Sequence, residues 1–427
     1  MIATLFIVFI GLLILEMPVS FSLLISTVVS LAAFSDIDLF AVVVKMFRAS
    51  SNFSLIAVPF FILAGGFMEN GGISRRLVTF ASNVIGHIRG GLANASVMAA
   101  MFFAGLSGAA AADTAAVGSL LIPAMKRKGY GKDLATSVMA TAGSIGIVIP
   151  PSIPMIILGV TAGISIGGMF MGGIIPGILI GVFLMVLNVI YTKIRKIDPE
   201  PRASFKQIMV SFVDSFLALF TVVIIVGGIT AGIFTATEAS VVAALYAFII
   251  GFFVYKELKF KDLPRVLVKA SLTTGVVVLT IAAASSFGWV LAAEQIPSQI
   301  ASFLVSLSDS KWVLLILINI FFIVLGTFLD PSAIIIIVVP IIWPVVQALG
   351  VHPIHFGVMA ITNMAVGQCT PPVGVALFVA TGISGAKLSD IMGTYMRYIG
   401  AMILVVLLVT FIPSLSLWIP ELTGYIR

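Results

Sequence analysis

Two aspartates sit where carboxylates are costly. Asp113 lies in "FFAGLSGAAAADTAA" (102–116) and Asp330 in "FFIVLGTFLDPSA" (321–333), both otherwise suited to the interior of a bilayer. A charged side chain at bilayer depth costs roughly 2.5–3.5 kcal/mol on insertion scales, so each needs a reason to be there. Two further stretches, "SIGIVIPPS" (144–152) and "GQCTPPVG" (367–374), place proline pairs inside apolar runs. A proline pair removes two backbone donors and disfavours helical geometry in the residue before it, so the carbonyls upstream lose their intrahelical partners. Free carbonyls and hydroxyls suit a hard cation. Gly143, Ser144 and Gly146 in one stretch and Gly367, Cys369 and Thr370 in the other are placed to offer backbone oxygens, and Ser144 and Thr370 add hydroxyls. The plainer alternative is a hinge that binds nothing, and a pair of such breaks at equivalent places weighs against it.

The elements that must hold these residues are membrane helices. The chain has 427 residues, of which 60% are hydrophobic and 9% charged, with a mean hydropathy of +1.24, beyond what a water-soluble domain sustains. Apolar runs such as 168–191, 216–234, 239–255, 312–329 and 398–419 are each long enough to span the hydrocarbon. They are continuous rather than alternating, which points to an all-α polytopic protein and away from a barrel. Backbone that leaves the helix at that depth is tolerated only where protein buries it or where it lines a wet cavity, so the two proline-pair segments mark a binding site.

Lys and Arg gather in 125–133, 193–206 and 255–269, which the positive-inside rule places in the cytoplasm. The loops near 294–311 and 349–357 then face outward. The net charge of +6 is a topology signal and does not point to nucleic acid. The basic stretches 193–206 and 256–269 read as amphipathic arms at the cytoplasmic interface, Arg75 and Arg76 begin a similar interfacial helix, and the loop at Lys126 reads as topological only. The N-terminus lacks a basic lead and a cleavage site, which suggests a retained span, while residues 2–33, interrupted by Glu16 and Pro18, fit two short helices or one tilted one.

The sequence also repeats itself. "ADTAAVGSLLIP" (112–123) returns as "LDPSAIIIIVVP" (329–340) with Asp and Pro ten residues apart in both, and "IPPSIPMIILGVTAGIS" (149–165) returns as "TPPVGVALFVATGIS" (370–384). An odd number of crossings between the copies inverts the second. Inverted repeats with interrupted helices are characteristic of secondary transporters, with the site at the repeat interface. The expected organisation is N-terminal scaffold helices in 1–52; a first repeat in 53–192 with a re-entrant hairpin near 94–123 and a broken helix near 134–165; arm helices and scaffold spans in 193–270; a second repeat in 271–397 with a hairpin near 311–348 and a broken helix near 353–384; and a last span in 398–427. Each aspartate fits a helix cap, Asp330 with Pro331 ahead of 332–347 and Asp113 ahead of 114–123. A cap at the midplane also serves function, because helix N-termini meeting there favour an anionic substrate.

Other chemistries fare worse. The lone Cys369 excludes a disulfide framework, and His352 and His355 have no carboxylate or thiol beside them to complete a metal site. An intramembrane enzyme using Asp113 and Asp330 would need the two carboxylates within hydrogen-bond reach, whereas each belongs to its own repeat. No nucleotide-binding Gly-x-x-x-x-Gly-Lys-Ser/Thr loop occurs, so energy comes from an ion gradient or a partner.

The stretches 53–78, 86–113, 122–133, 149–170 and 371–384 together resemble the signature segments of the large membrane subunit of tripartite ATP-independent periplasmic (TRAP) transporters. That resemblance implies an elevator-type carrier in the bacterial inner membrane with two re-entrant hairpins and two broken helices. It implies sodium-coupled import, with Na+ as the coupling ion and no covalent cofactor, of an organic acid handed over by a periplasmic substrate-binding protein. A small four-helix membrane subunit of the Q type is implied as partner. Carried over by position, one sodium site would use Ser107, Gly108, Gly143, Ser144, Gly146 and Pro150, and the other Gly326, Thr327, Gly367, Cys369 and Thr370. Asp330 is the foremost candidate to contact the substrate, with Ser107 facing it and Asp113 near. Family members often carry Ser-Gly-Ser-Ser at the first hairpin tip; here Ser107-Gly108-Ala109-Ala110 leaves positions 109 and 110 without hydroxyls. The overall resemblance leans to the sialic-acid branch, with C4-dicarboxylates next. A stand-alone sodium-coupled anion carrier is the alternative.

Overall fold

The structure, a computed structural model, describes residues 1–308 and 310–426, and every regular element among them is helical. Among these residues seven helices are long and apolar enough to cross a membrane: Phe53–Asn70, Ile166–Ile194, Phe205–Thr230, Ala236–Val254, Phe260–Ala293, Pro331–Ala348 and Leu388–Phe411. The N-terminal stretch is two short helices, α1 (Ile2–Ile14) and α2 (Val19–Phe34), followed by α3 (Phe40–Ser50). The chain turns between the first two at Glu16, whose φ is 61°, and Pro18 sits at the cap of α2.

One succession of seven helices then occurs twice. The first set is α4 (Ala57–Asn70), α5 (Ile73–Ile85), α6 (Gly91–Ser107), α7 (Ala110–Arg127), α8 (Gly131–Ser144), α9 (Ile153–Ala162) and α10 (Ile166–Ile194). Between the sets lie α11 (Phe205–Val222), which continues through a π-helical turn into α12 (Gly228–Thr230), and α13 (Ala236–Ile249). The second set is α14 (Leu263–Ala293), α15 (Ile296–Leu307), α16 (Lys311–Gly326), α17 (Pro331–Ala348), α18 (Pro353–Gly367), α19 (Val375–Ser384) and α20 (Leu388–Phe411), with α21 (Ser414–Leu422) after it.

Local chemistry explains where these helices stop. Asp330 accepts the Ser332 amide at 2.9 Å and Pro331 opens α17, where its missing N–H would have had no intrahelical partner. His352 accepts the Ile354 amide ahead of Pro353 and starts α18 in the same way. α9 and α19 each end on a left-handed glycine, Gly163 (φ 68°) and Gly385 (φ 65°). α8 and α18 are buried on nearly all sides, and their buried hydroxyls, such as those of Ser137, Thr141 and Thr362, donate back to carbonyls of their own helices instead of facing water. They form the centre, with α19 and α20 against α8 and with α16 and α10 against α18.

Three expectations change. Asp113 is not the cap of its helix: α7 begins at Ala110, and the carboxylate sits in the first turn. The reason is that Ala110, Ala111 and Ala112 are strong helix formers that extend the helix past Asp113 toward the tip. The basic arms are not free amphipathic helices either. Residues 263–269 are the opening turns of the 31-residue α14, and the 193–206 region is held to the protein by Arg195, paired with Asp133 at 2.5 Å, and by the Lys128–Glu200 pair at 3.1 Å. Arg76 likewise reaches Glu257 at 2.7 Å and Asp214 at 3.2 Å and stacks on Tyr255, so α5 is bound to the neighbouring elements. Lys126 donates to the Ser384 carbonyl at 2.9 Å, satisfying the C-terminus of α19, a structural task beyond topology.

Candidate transport site

The hairpin α6–α7 turns at Gly108, whose φ of 63° only glycine adopts freely. A Cβ there would lie 2.8 Å from the Pro151 carbonyl oxygen and 3.1 Å from the Ile153 nitrogen, so the tip rests directly on the break between α8 and α9. Behind the tip, α7 presses on the end of α8. A Cβ at Gly143 would fall 1.9 Å from Thr114 Oγ1, and one at Gly146 would fall 2.0 Å from Asp113 Oδ2. Both positions therefore require glycine for close approach rather than for backbone freedom.

Asp113 is completely buried. Its Oδ1 accepts the Ser107 hydroxyl, while Oδ2 has no partner among the described residues. A buried carboxylate oxygen without a donor is costly, and in this cluster a cation is the natural complement. Ser107 in turn accepts the Ala109 amide at 3.2 Å. In the break itself Ser152 does two tasks, donating to the Ile147 carbonyl at 2.6 Å and accepting the Met155 amide to start α9. Ser144 spends its proton on the Thr141 carbonyl at 2.9 Å. The structure thus brings Ser107, Gly108, Asp113, Gly143, Gly146 and the Pro150–Pro151 pair into one cluster.

The second cluster is built by glycine on glycine. A Cβ on Gly367 would meet Gly326 Cα at 2.5 Å, so α16 and α18 cross backbone to backbone. The break after α18 is closed by the hairpin: the Gly374 amide donates to the Thr327 carbonyl at 3.2 Å, and the Ala376 amide to the Gln368 carbonyl at 3.1 Å. Thr327 and Thr370 donate to Val324 and Val366 carbonyls, each at 2.7 Å. A hydroxyl that gives its proton to the backbone keeps its lone pairs, so these oxygens remain able to face a cation.

The two clusters touch through Cys369. Its thiol donates to the Ala140 carbonyl of α8 at 3.2 Å, and its carbonyl accepts the Tyr395 hydroxyl of α20. A second buried polar chain ties the second set together, from Asn363 in α18 to Asn319 in α16 at 2.8 Å and from there to Thr410 in α20 at 2.8 Å. The sequence gives no sign of these links, because their partners lie tens of residues apart and a lone Asn or Tyr in an apolar run carries no spacing signal.

Asp330 stands apart. It is an exposed cap of α17, its carboxylate holds only the Ser332 amide among the described residues, and no contact joins it to Ser107 or Asp113. His352 and His355 are occupied structurally, the first as a cap and the second through Ser416 at 2.7 Å. Beside the first tip lies a cavity of about 370 Å³, with Ser107 and Ala109 on one wall and α4 and the start of α14, including Glu69, Arg265 and Lys269, on the other. Those three charges form the part of the site that motif reading missed; they sit in ordinary helix-end positions and become notable only when the tip is seen to face them.

A family model described as "Tripartite ATP-independent periplasmic transporter, DctM component" matches residues 6–415. The chain belongs to this family. It is 39% identical to the C4-dicarboxylate TRAP transporter large permease protein DctM of Pseudomonas aeruginosa, over 94% of this chain and 94% of that one. It is 38% identical to the sialic acid TRAP transporter large permease protein SiaM of Vibrio cholerae, over 97% of each chain. Among solved structures, the YdaH transporter of Alcanivorax borkumensis shares the fold with a TM-score of 0.56 at 15% identity, covering 90% of this chain and 86% of that one. The chain is therefore a multi-pass inner-membrane permease subunit of the TRAP class and not an enzyme.

Proposed function

We propose that this subunit imports an organic acid anion, coupled to sodium, after delivery by a periplasmic binding protein and in complex with a small membrane subunit. The observation that carries the reading is the pairing of each hairpin tip with its own helix break: Gly108 on Pro151 in one, Gly326 on Gly367 and Thr327 on Gly374 in the other. Sodium is cargo in this scheme. The first cluster offers it a buried carboxylate oxygen that lacks a donor, and the second offers carbonyls together with hydroxyls whose protons are already committed to the backbone. Each sodium entering down 100 mV contributes roughly 2.3 kcal/mol, so two would support a concentration ratio above a thousandfold for a neutral solute.

The cavity beside the first tip, between the hairpin and α4 with α14, supports movement of the hairpin-bearing body against those flanking helices, the elevator mode. Sialic acid is the favoured substrate and C4-dicarboxylates come next, although relatives named for both are equally similar to this chain. The test is uptake of radiolabelled sialic acid and succinate into proteoliposomes containing the chain and its small subunit, with and without inward sodium and binding protein. Uptake that needs all of these supports the proposal. Sodium-driven uptake indifferent to the binding protein would favour a stand-alone carrier, and uptake without sodium would remove the ion from the scheme.

A further inference from the structure

We propose that Arg265 is an anion-receiving residue in the release path, a contact for the substrate's carboxylate after it leaves the first hairpin tip. This rests on the import reading above, and its test is chosen to be separable from it. The cavity of about 370 Å³ is asymmetric. On the hairpin side it offers Ser107 and the small Ala109; on the opposite side stand three charges from two helices, Glu69 at the end of α4 and Arg265 and Lys269 in the first two turns of α14. Two of them cancel: Lys269 Nζ lies 3.6 Å from Glu69 Oε2. Arg265 has no hydrogen bond or ion pair among the described residues, and its side chain is exposed to the cavity. One net positive charge is thus left facing the tip.

The position of that charge matters as much as its sign. α14 starts in the segment that the basic residues place at the cytoplasmic side, while Ser107 marks the membrane-embedded tip. An anion leaving the tip inward therefore meets an unpaired guanidinium across the cavity before it reaches bulk water. A planar guanidinium matches a carboxylate with two parallel hydrogen bonds, which an ammonium does not. A cleft with one sign of charge and low-dielectric walls concentrates the opposite ion. The Lys269–Glu69 pair tunes this field, because neutralising Glu69 would release a second cation into the same space.

The direct probe is a thiol placed on the cavity wall. Thr273 lines the cavity and is exposed, and the native Cys369 is fully buried, so Thr273→Cys is the reactive thiol for labelling. In membranes holding the full chain with its small subunit, the labelling rates by an anionic and a cationic methanethiosulfonate of similar size are compared. Adding Arg265→Gln is expected to lower the anionic-to-cationic rate ratio about threefold: eight residues of helix place the two positions roughly 12 Å apart, and the ratio counts the charge twice, as attraction lost by one reagent and repulsion lost by the other. Arg265→Lys is expected to keep the ratio, Glu69→Gln to raise it, and salt near 1 M to erase the differences. In counterflow, Arg265→Gln is expected to raise the KM for internal substrate with the KM for externally delivered substrate unchanged. A labelling ratio indifferent to Arg265, or equal KM changes from both sides, overturns the proposal. If the ratio responds but no organic acid is transported by the wild type, the anion-attracting cavity stands and the import reading falls.

Discussion

The crossing of Gly326 and Gly367 gives the sharpest test of the site's construction. A methyl group at position 367 would sit 2.5 Å from Gly326 Cα and 2.7 Å from its carbonyl carbon, while ordinary van der Waals contact begins at 3.4 Å. The deficit is the difference, 3.4 − 2.5, and the atoms in the way are main chain, which cannot rotate aside. Gly367→Ala must therefore push α16 and α18 apart by nearly an ångström at the break. Overpacking of this kind typically costs about 1–3 kcal/mol. Because the same displacement separates Thr327 from Gly374, it should also loosen the second cluster, and each 1.4 kcal/mol appearing there raises the sodium concentration for half-maximal uptake about tenfold. The assay is paired: thermal unfolding of the purified complex and sodium dependence of uptake. Gly400→Ala is the control, since nothing lies within 4 Å of a Cβ at that position in α20. It should leave both readouts unchanged or raise the unfolding midpoint, alanine being the better helix former by up to about 1 kcal/mol. If Gly367→Ala matches wild type in midpoint and sodium dependence, the backbone contact is not what holds the second cluster, and the reasoning fails.

Three further outcomes are expected. Asp330→Asn should keep the cap and the folded complex while abolishing uptake, whereas Asp330→Ala should in addition cost about 1 kcal/mol of cap stability; wild-type uptake in the asparagine variant would remove the carboxylate charge from the substrate site. Lys126→Ala should destabilise the fold by about 1 kcal/mol for the lost bond to Ser384, read as a lower thermal midpoint, and leave uptake in place; an unchanged midpoint would show that the exposed lysine does not bind that carbonyl in solution. Burial opposes ionisation of Asp133, but the Arg195 and Thr394 hydrogen bonds outweigh it and hold the carboxyl at about 2. With a lowered folded pKa, its stabilising effect is complete above the ordinary carboxylate value of about 3.9 and is lost as pH falls toward about 2. Tryptophan fluorescence melts across that window should show the acid loss in wild type and a weaker one in Arg195→Gln.

Much of the architecture could be read from the residues because membrane helices announce their ends. The proline pairs at 150–151 and 371–372 and the glycine of the first Gly-Ile-Ser, Gly163, are backbone chemistry written in residue types, and α8, α9 and α18 stop beside them, whereas α19 runs through its own Gly-Ile-Ser (382–384) and ends on Gly385. Asp330-Pro331 is likewise a cap signal that works locally, and α17 begins there. Asp113 shows where this kind of reading ends. Its spacing to a later proline matches that of Asp330, yet the alanines before it carry the helix three residues further toward the tip, so the side chain points back to Ser107 instead of capping. The same displacement buries the carboxylate over Gly146, a contact between residues far apart in sequence that no period or motif encodes. The repeat is thus symmetric in its backbone and asymmetric in its charge: a buried carboxylate at the first tip and an exposed one at the second. A buried carboxylate gains most from a bare cation, and an exposed one can be reached by a solute of any size. If the two tips divide the work along that line, Asp113 belongs with the coupling ion and Asp330 with the larger substrate, a division that the matched motifs alone would never suggest.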